Sequence, residues 1–215
     1  ELNNIAKKII QKGKGILAAD ESTGTMTKRL ESVGVSSTPE NRLLFRNTLF
    51  SSDAMKSYIG GVILYDETIK QNSLSKNKIP ELISGTGAVP GIKVDTGAKI
   101  LANSTEEKIT EGLDGLRERL KEYYKLGARF TKWRAVYKIT ESYPSKLSIH
   151  SNAHALARYA ALVQESGMVP IVEPEVLMDG NHGVEECFNK TSEVIKKCFD
   201  ELDKNKIDLS GTILK

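Results

Sequence analysis

The sequence predicts an α/β fold of parallel βαβ units, with a (β/α)8 barrel favoured over a doubly wound sheet. Three observations carry this: short apolar runs alternate with helical patterns, no strand leads into a glycine-rich nucleotide turn, and charges recur at the ends of the apolar runs. The runs are Gly15 to Ala19, Ile59 to Leu64, Gly91 to Val94, Ala128 to Trp133, Val169 to Val172 and Gly211 to Leu214. Each reads as a strand buried on both faces. The helices between them have legible ends. Thr38 and Pro39 suit an N-cap and first helical position, Gly127 follows a Leu113, Leu116, Leu120, Tyr123 stripe, and Gly167 follows an Ile149, Ala153, Leu156, Ala160, Val163 stripe. Val184, Cys187, Phe188, Thr191, Val194, Ile195, Cys198, Phe199 and Leu202 recur by threes and fours, as in a helix covering one side of a sheet. Strand ends recur about every 30 to 45 residues, so eight units need on the order of 300 residues. Residues 1–215 are therefore expected to form a single barrel domain with its first six strands, incomplete at the C-terminus.

Composition narrows the function classes. The 215 residues are 39% hydrophobic and 27% charged, an ordinary globular balance. The net charge of +3 comes from 31 basic and 28 acidic residues spread without a block, which gives no footprint for nucleic acid. No stretch approaches the roughly 20 apolar residues of a membrane span, so no membrane insertion is expected and a cytoplasmic location is the default reading. Cys187 and Cys198 lie about three helical turns apart and are expected to pack as small hydrophobes, since a single straight helix cannot bridge them.

The charges at the strand ends are the functional signal. GILAAD ends in Asp20, GIKVD carries Lys93 and Asp95, FTKWR carries Lys132 and Arg134, VEPE carries Glu173 and Glu175, and GTILK closes on Lys215. Any one of them could simply mark the chain's return to water. Five strands ending in charges of mixed sign point instead to a convergent cluster at a barrel mouth, where active sites of this architecture lie. Lysine beside compensating carboxylates suits Schiff-base chemistry, in which the amine attacks a ketone and the iminium becomes an electron sink for carbon–carbon cleavage. Carboxylates nearby suit the proton transfers, and the cations suit a phosphorylated substrate.

GKGILAADESTGT from Gly13, GGVILYDET from Gly60, GIKVD from Gly91, GLDGL from Gly112, FTKWR from Phe130, LARYA from Leu156, VPIVEPE from Val169 and GTILK from Gly211 resemble, in order, the signatures of class I fructose-bisphosphate aldolases. The resemblance covers essentially the whole chain. It implies a lyase of glycolysis and gluconeogenesis that cleaves fructose 1,6-bisphosphate reversibly to dihydroxyacetone phosphate and glyceraldehyde 3-phosphate, with no metal and no cofactor. It implies Lys215 as the Schiff-base lysine, Glu173 as general acid/base with Glu175 supporting it, and Asp20 as handler of the carbinol proton. Lys93 and Lys132 would hold that carboxylate and the developing charge. Arg134, Ser22 and Thr25 match positions near the distal phosphate, Thr25 standing where the family usually has serine, and Arg29 and Glu21 are neighbouring positions. A homotetramer is implied, as is an alternative scaffold role in which Lys28, Lys93, Lys132 and Arg134 capture actin or acidic cytoskeletal or adhesin tails. The family's remaining phosphate contacts and mobile tail are expected beyond Lys215, and a polypeptide stopping there is expected to leave barrel edges unpaired and not to turn over substrate. Another Schiff-base barrel, a transaldolase, is disfavoured by the combination of VEPE and FTKWR. His150 and His154, four apart on a helix, are read as solvent-facing rather than as metal ligands, His182 as a loop residue, and Trp133 as packing.

Overall fold

The structure, a computed structural model, describes residues 1–215. Eight strands are present: β1 (Gly15–Ala19), β2 (Ile59–Leu64), β3 (Val89–Lys93), β4 (Gly97–Ile100), β5 (Lys108–Glu111), β6 (Phe130–Tyr137), β7 (Val169–Val176) and β8 (Ile213–Leu214). Six of them form one sheet in the order β1-β2-β3-β6-β7-β8, with every neighbouring pair parallel. The nine helices are α1 (Leu2–Ile9), α2 (Thr23–Glu31), α3 (Pro39–Phe50), α4 (Ala54–Tyr58), α5 (Asp66–Ile69), α6 (Ile79–Gly85), α7 (Leu116–Lys125), α8 (Lys146–Glu165) and α9 (Val184–Lys204). This is six-strand part of a (β/α)8 barrel, as the alternation predicts.

Strand alternation sorts the core into two clusters on opposite faces of the sheet. Facing the helices, Val62, Leu64, Ile92, Trp133, Ala135, Tyr137 and Val172 pack with Leu116, Leu120, Leu156, Ala160, Val163, Val194 and Leu202. Facing the barrel interior, Ile63, Val89, Phe130, Val169, Ile171 and Ile213 meet Ala6 and Ile9 of α1, which plugs the N-terminal end. Continuing that inward parity toward the strand C-termini gives Lys93, Lys132, Arg134, Glu173, Glu175 and Lys215. The interior is therefore apolar at one end and ionisable at the other.

Two glycines allow the close packing at this end. A Cβ on Gly91 would fall 2.4 Å from the Phe130 ring, and one on Gly60 would fall 2.0 Å from the Ile9 carbonyl oxygen. Neither position accepts a side chain unless the neighbouring ring or backbone shifts, because these already fill the space.

Several boundaries differ from the sequence expectation. β6 and β7 run on to Tyr137 and Val176 because their charges occupy the inward column and need not end the strand, while Trp133, Ala135 and Tyr137 stay buried on the other face. GTILK is a short strand preceded by the 3-10 turn Leu209–Gly211. The antiparallel β4–β5 hairpin has no strong apolar signal and is not anticipated. β1 is an edge strand and only Ala19 of it is buried, so it is not covered on both faces. On α9 the expected stripe is covered only toward its end: Val194, Cys198 and Leu202 are buried, whereas Val184 and Phe188 are exposed. Leu113 precedes α7 rather than lying within it. Thr38 caps α3 as expected, accepting from the Asn41 amide at 3.2 Å.

Candidate active site

The C-terminal ends of β1, β3 and β6 and the start of α2 enclose a cavity of about 400 Å³. Asp20, Ser22, Thr25, Arg29, Lys93, Lys132 and Arg134 line it together with Glu21 and Asp95. Glu173, Glu175 and Lys215 are not among its lining residues; they stand beside it on β7 and after β8.

Lys132 joins the two groups. Its Nζ lies 2.6 Å from Asp20 Oδ2 and 3.5 Å from Glu173 Oε2. Burial acts to lower its pKa, but Asp20 and Glu173 outweigh that and hold the ammonium above the usual lysine value. Lys132 is thus a fixed cation rather than a nucleophile at neutral pH. Lys215 touches the other oxygen of Glu173 through its Nζ. Its backbone amide donates to the Val172 carbonyl at 2.9 Å, extending the β7–β8 ladder and setting the side chain beside Glu173. Asp20, Lys132, Glu173 and Lys215 therefore form one chain of alternating charge across four strand ends. Such a set has an amine, two carboxylates and a screening cation within proton-transfer reach.

Not every expected contact is made. Lys93 reaches Asp95 at 2.8 Å and not Asp20, because Asp95 lies two residues on in the same turn. The structure thus corrects the expectation that Lys93 holds the Asp20 carboxylate. Asp95 also accepts from the Gly97 amide at 3.1 Å, anchoring the start of the hairpin. Arg134 pairs with Glu175, so that carboxylate braces the arginine rather than Glu173. Ser22 caps α2 and its hydroxyl lies 3.2 Å from that of Thr25, which places both at the mouth. Arg29 pairs with Glu21.

Sequence reasoning missed the layer beneath. Arg46, on α3, is fully buried and donates from Nη2 to the Glu21 carbonyl at 2.5 Å. Arg42, also on α3, binds Glu67 of α5. An arginine in an amphipathic helix ordinarily reads as solvent-facing, so no local pattern singles Arg46 out. Trp133 is a packing residue as expected, fully buried with its ring 5.4 Å from that of Tyr159. His150 and His154 are about half exposed and flank Glu201 of α9.

The family model for fructose-bisphosphate aldolase class-I matches residues 1–215. The chain belongs to the class-I fructose-bisphosphate aldolase family. Among curated members of the family, a Xylella fastidiosa protein named "Probable fructose-bisphosphate aldolase class 1" is 50% identical over 215 residues, covering all of this chain and 64% of its own length. Fructose-bisphosphate aldolase C-B of Danio rerio is 50% identical over 216 residues, covering 100% of this chain and 60% of the relative. The chain thus spans roughly six tenths of these relatives. A solved family structure, the Plasmodium falciparum aldolase in ternary complex with TRAP and a small-molecule inhibitor, superposes with a TM-score of 0.97 at 46% identity, covering 99% of this chain and 62% of that one. That likeness agrees with the partial barrel described above.

Proposed function

We propose that the protein is a fructose-bisphosphate aldolase that cleaves fructose 1,6-bisphosphate reversibly through a Schiff base on Lys215, within glycolysis and gluconeogenesis. The observation that carries this reading is the Asp20–Lys132–Glu173–Lys215 chain at the strand ends. Lys215 attacks the substrate ketone, and Glu173 gives the proton with which the carbinolamine hydroxyl leaves as water. Asp20 takes the proton of the alcohol that becomes the aldehyde, and the electron pair of the breaking carbon–carbon bond moves into the iminium, giving an enamine. Lys132 offsets the charge of both carboxylates throughout. Arg134, Ser22, Thr25 and Arg29 face the distal phosphate of the sugar, and Lys93 in the same cavity offsets the developing charge. The iminium is itself the electron sink, so no metal or cofactor is assigned a step.

In the same reading residues 1–215 belong to one barrel domain, the assembly is a homotetramer and the setting is the cytoplasm. The unpaired thiols of Cys187 and Cys198 suit a reducing compartment, and no helix is long and apolar enough to cross a membrane.

In the full-length protein with EDTA present, cleavage of fructose 1,6-bisphosphate is expected, with Lys215→Met abolishing it and Asp20→Asn lowering kcat by about 10² to 10⁴. Turnover by Lys215→Met within tenfold of the parent would sink the proposal. A second reading, capture of actin or acidic cytoskeletal or adhesin tails at the mouth, is favoured by the relative's complex with TRAP and by exposed Lys28 and Arg29. An acidic peptide bound there should compete with fructose 1,6-bisphosphate, and binding that ignores the sugar would remove this second role.

A further inference from the structure

Glu21 occupies a divided position. Its Oε1 pairs with Arg29, whose side chain is 61% exposed at the mouth, while its Oε2 is buried with no hydrogen-bond partner. That second oxygen faces Arg46 Nη2 at 3.8 Å, beyond hydrogen-bond range. Arg46 has a matching deficit, since Nε and Nη1 are buried and also lack partners. Its distance to Glu67 Oε2 is likewise 3.8 Å, and that carboxylate is already committed to Arg42. Burial pulls the Arg46 guanidinium below the usual arginine range, and Glu21 and Glu67 only partly offset it. The buried Glu21 oxygen thus lies just out of hydrogen-bond reach of Arg46 Nη2, while Nε and Nη1 of the same guanidinium go unpartnered, an arrangement that costs desolvation energy on both sides.

The carboxylate is kept from closing that gap by its hold on Arg29. Any anionic group that engages Arg29 competes for that hold, and the guanidinium fork suits phosphate oxygens particularly well. We infer that Glu21 is a two-position carboxylate that couples phosphate binding at the mouth to the buried Arg46. When a phosphate takes Arg29, Glu21 turns onto Arg46 and its unpartnered Oε2 accepts from the guanidinium. Arg46 is then a positioning residue that acts through Glu21 and favours substrates with a phosphate at this end over those without one. Its bond to the Glu21 carbonyl keeps the turn that carries Asp20 and Ser22 in place as the side chain moves. The inference rests on the reading of the cavity as a phosphate-binding mouth.

The test is a double-mutant cycle on the full-length protein, with inorganic phosphate as the probe and calorimetry as the readout. Arg46→Met should weaken phosphate about tenfold where Glu21 is present, because the carboxylate then has nowhere to go and keeps competing for Arg29. In the Glu21→Gln background the same change should matter less than about twofold. An equal loss in both backgrounds would mean that Arg46 acts only as a distant cation, and the coupling would be wrong. No phosphate binding by the parent, or no effect of Arg46→Met in either background, would overturn it as well. Should Arg46→Met fail to fold, a crystal structure of the unmodified full-length protein grown in phosphate decides. Glu21 within hydrogen-bond distance of Arg46 and off Arg29 supports the coupling; Glu21 still on Arg29 beside bound phosphate overturns it. A borohydride-trapped adduct on Lys215 reports the aldolase chemistry independently, so failure of the coupling and failure of the proposed function are separable.

Discussion

At the scale of single residues, the barrel interior is decided by where a side chain is missing as much as by where one is present. Gly91 sits under the Phe130 ring so closely that an added Cβ would lie 2.4 Å from it. Gly91→Ala should therefore cost about 1 to 3 kcal/mol through overpacking, measured as a shift of the urea midpoint with an unchanged slope; an unchanged midpoint would show that the ring can move aside. The same column ends in ionisable groups, and their identities were legible because charge at the end of an apolar run is costly without a partner. Asp20, Lys132, Glu173 and Lys215 converge as that reasoning expects. The pairing of Lys93 with Asp95 was not legible, since sequence order does not tell which of two nearby carboxylates a flexible ammonium reaches. Arg46 was invisible for a different reason: burial of a helix arginine depends on what packs over it, not on its own neighbours in sequence.

At the scale of elements, α8 and α9 are joined by more than their apolar faces. The Glu201 carboxylate lies between them, accepting from Lys197 at 2.9 Å and Lys204 at 3.1 Å and lying 3.1 Å from His154 Nδ1. Lys197 most of all, then His154 and Lys204, hold its pKa at about 2 against the opposing effect of burial. A lowered carboxylate pKa contributes stability above the unfolded value, and that contribution is lost as pH falls from the usual 4.5 toward about 2. Because the partners are partly exposed and screened, the amount at stake is on the order of 1 to 2 kcal/mol. Glu201→Gln should accordingly flatten the fall in stability across that window, seen in urea titrations at stepped pH; an unaltered acid profile would place the acid sensitivity elsewhere. The helix itself was legible from its spacing by threes and fours, and its length is close to the stripe that announced it. Which part of that stripe is covered was not, because Val184 and Phe188 have the right period but no facing element in the sheet. The β4–β5 hairpin was missed because Lys99, Lys108 and Glu111 dilute any alternating apolar signal.

At the scale of the whole molecule, the sheet turns a linear recurrence into a polarity. α1 closes the apolar end against Ile63, Phe130, Ile171 and Ile213, and every strand of the barrel delivers its last inward side chain to the opposite end. The parallel βαβ arrangement was readable from alternation, whereas the strand lengths depended on inward charges being tolerated within the ladder. In the proposed function, the convergence of those charges at one end is what makes the Lys215 amine after β8 chemically useful, since Glu173 on β7 meets it there and Lys132 on β6 meets Glu173. The measurement that bears most directly on this account is covalent trapping. The full-length protein is incubated with dihydroxyacetone phosphate and EDTA, reduced with borohydride, and digested for peptide mass spectrometry. The account predicts a reduced adduct on Lys215. An adduct on another lysine, or none on the folded protein, would contradict it.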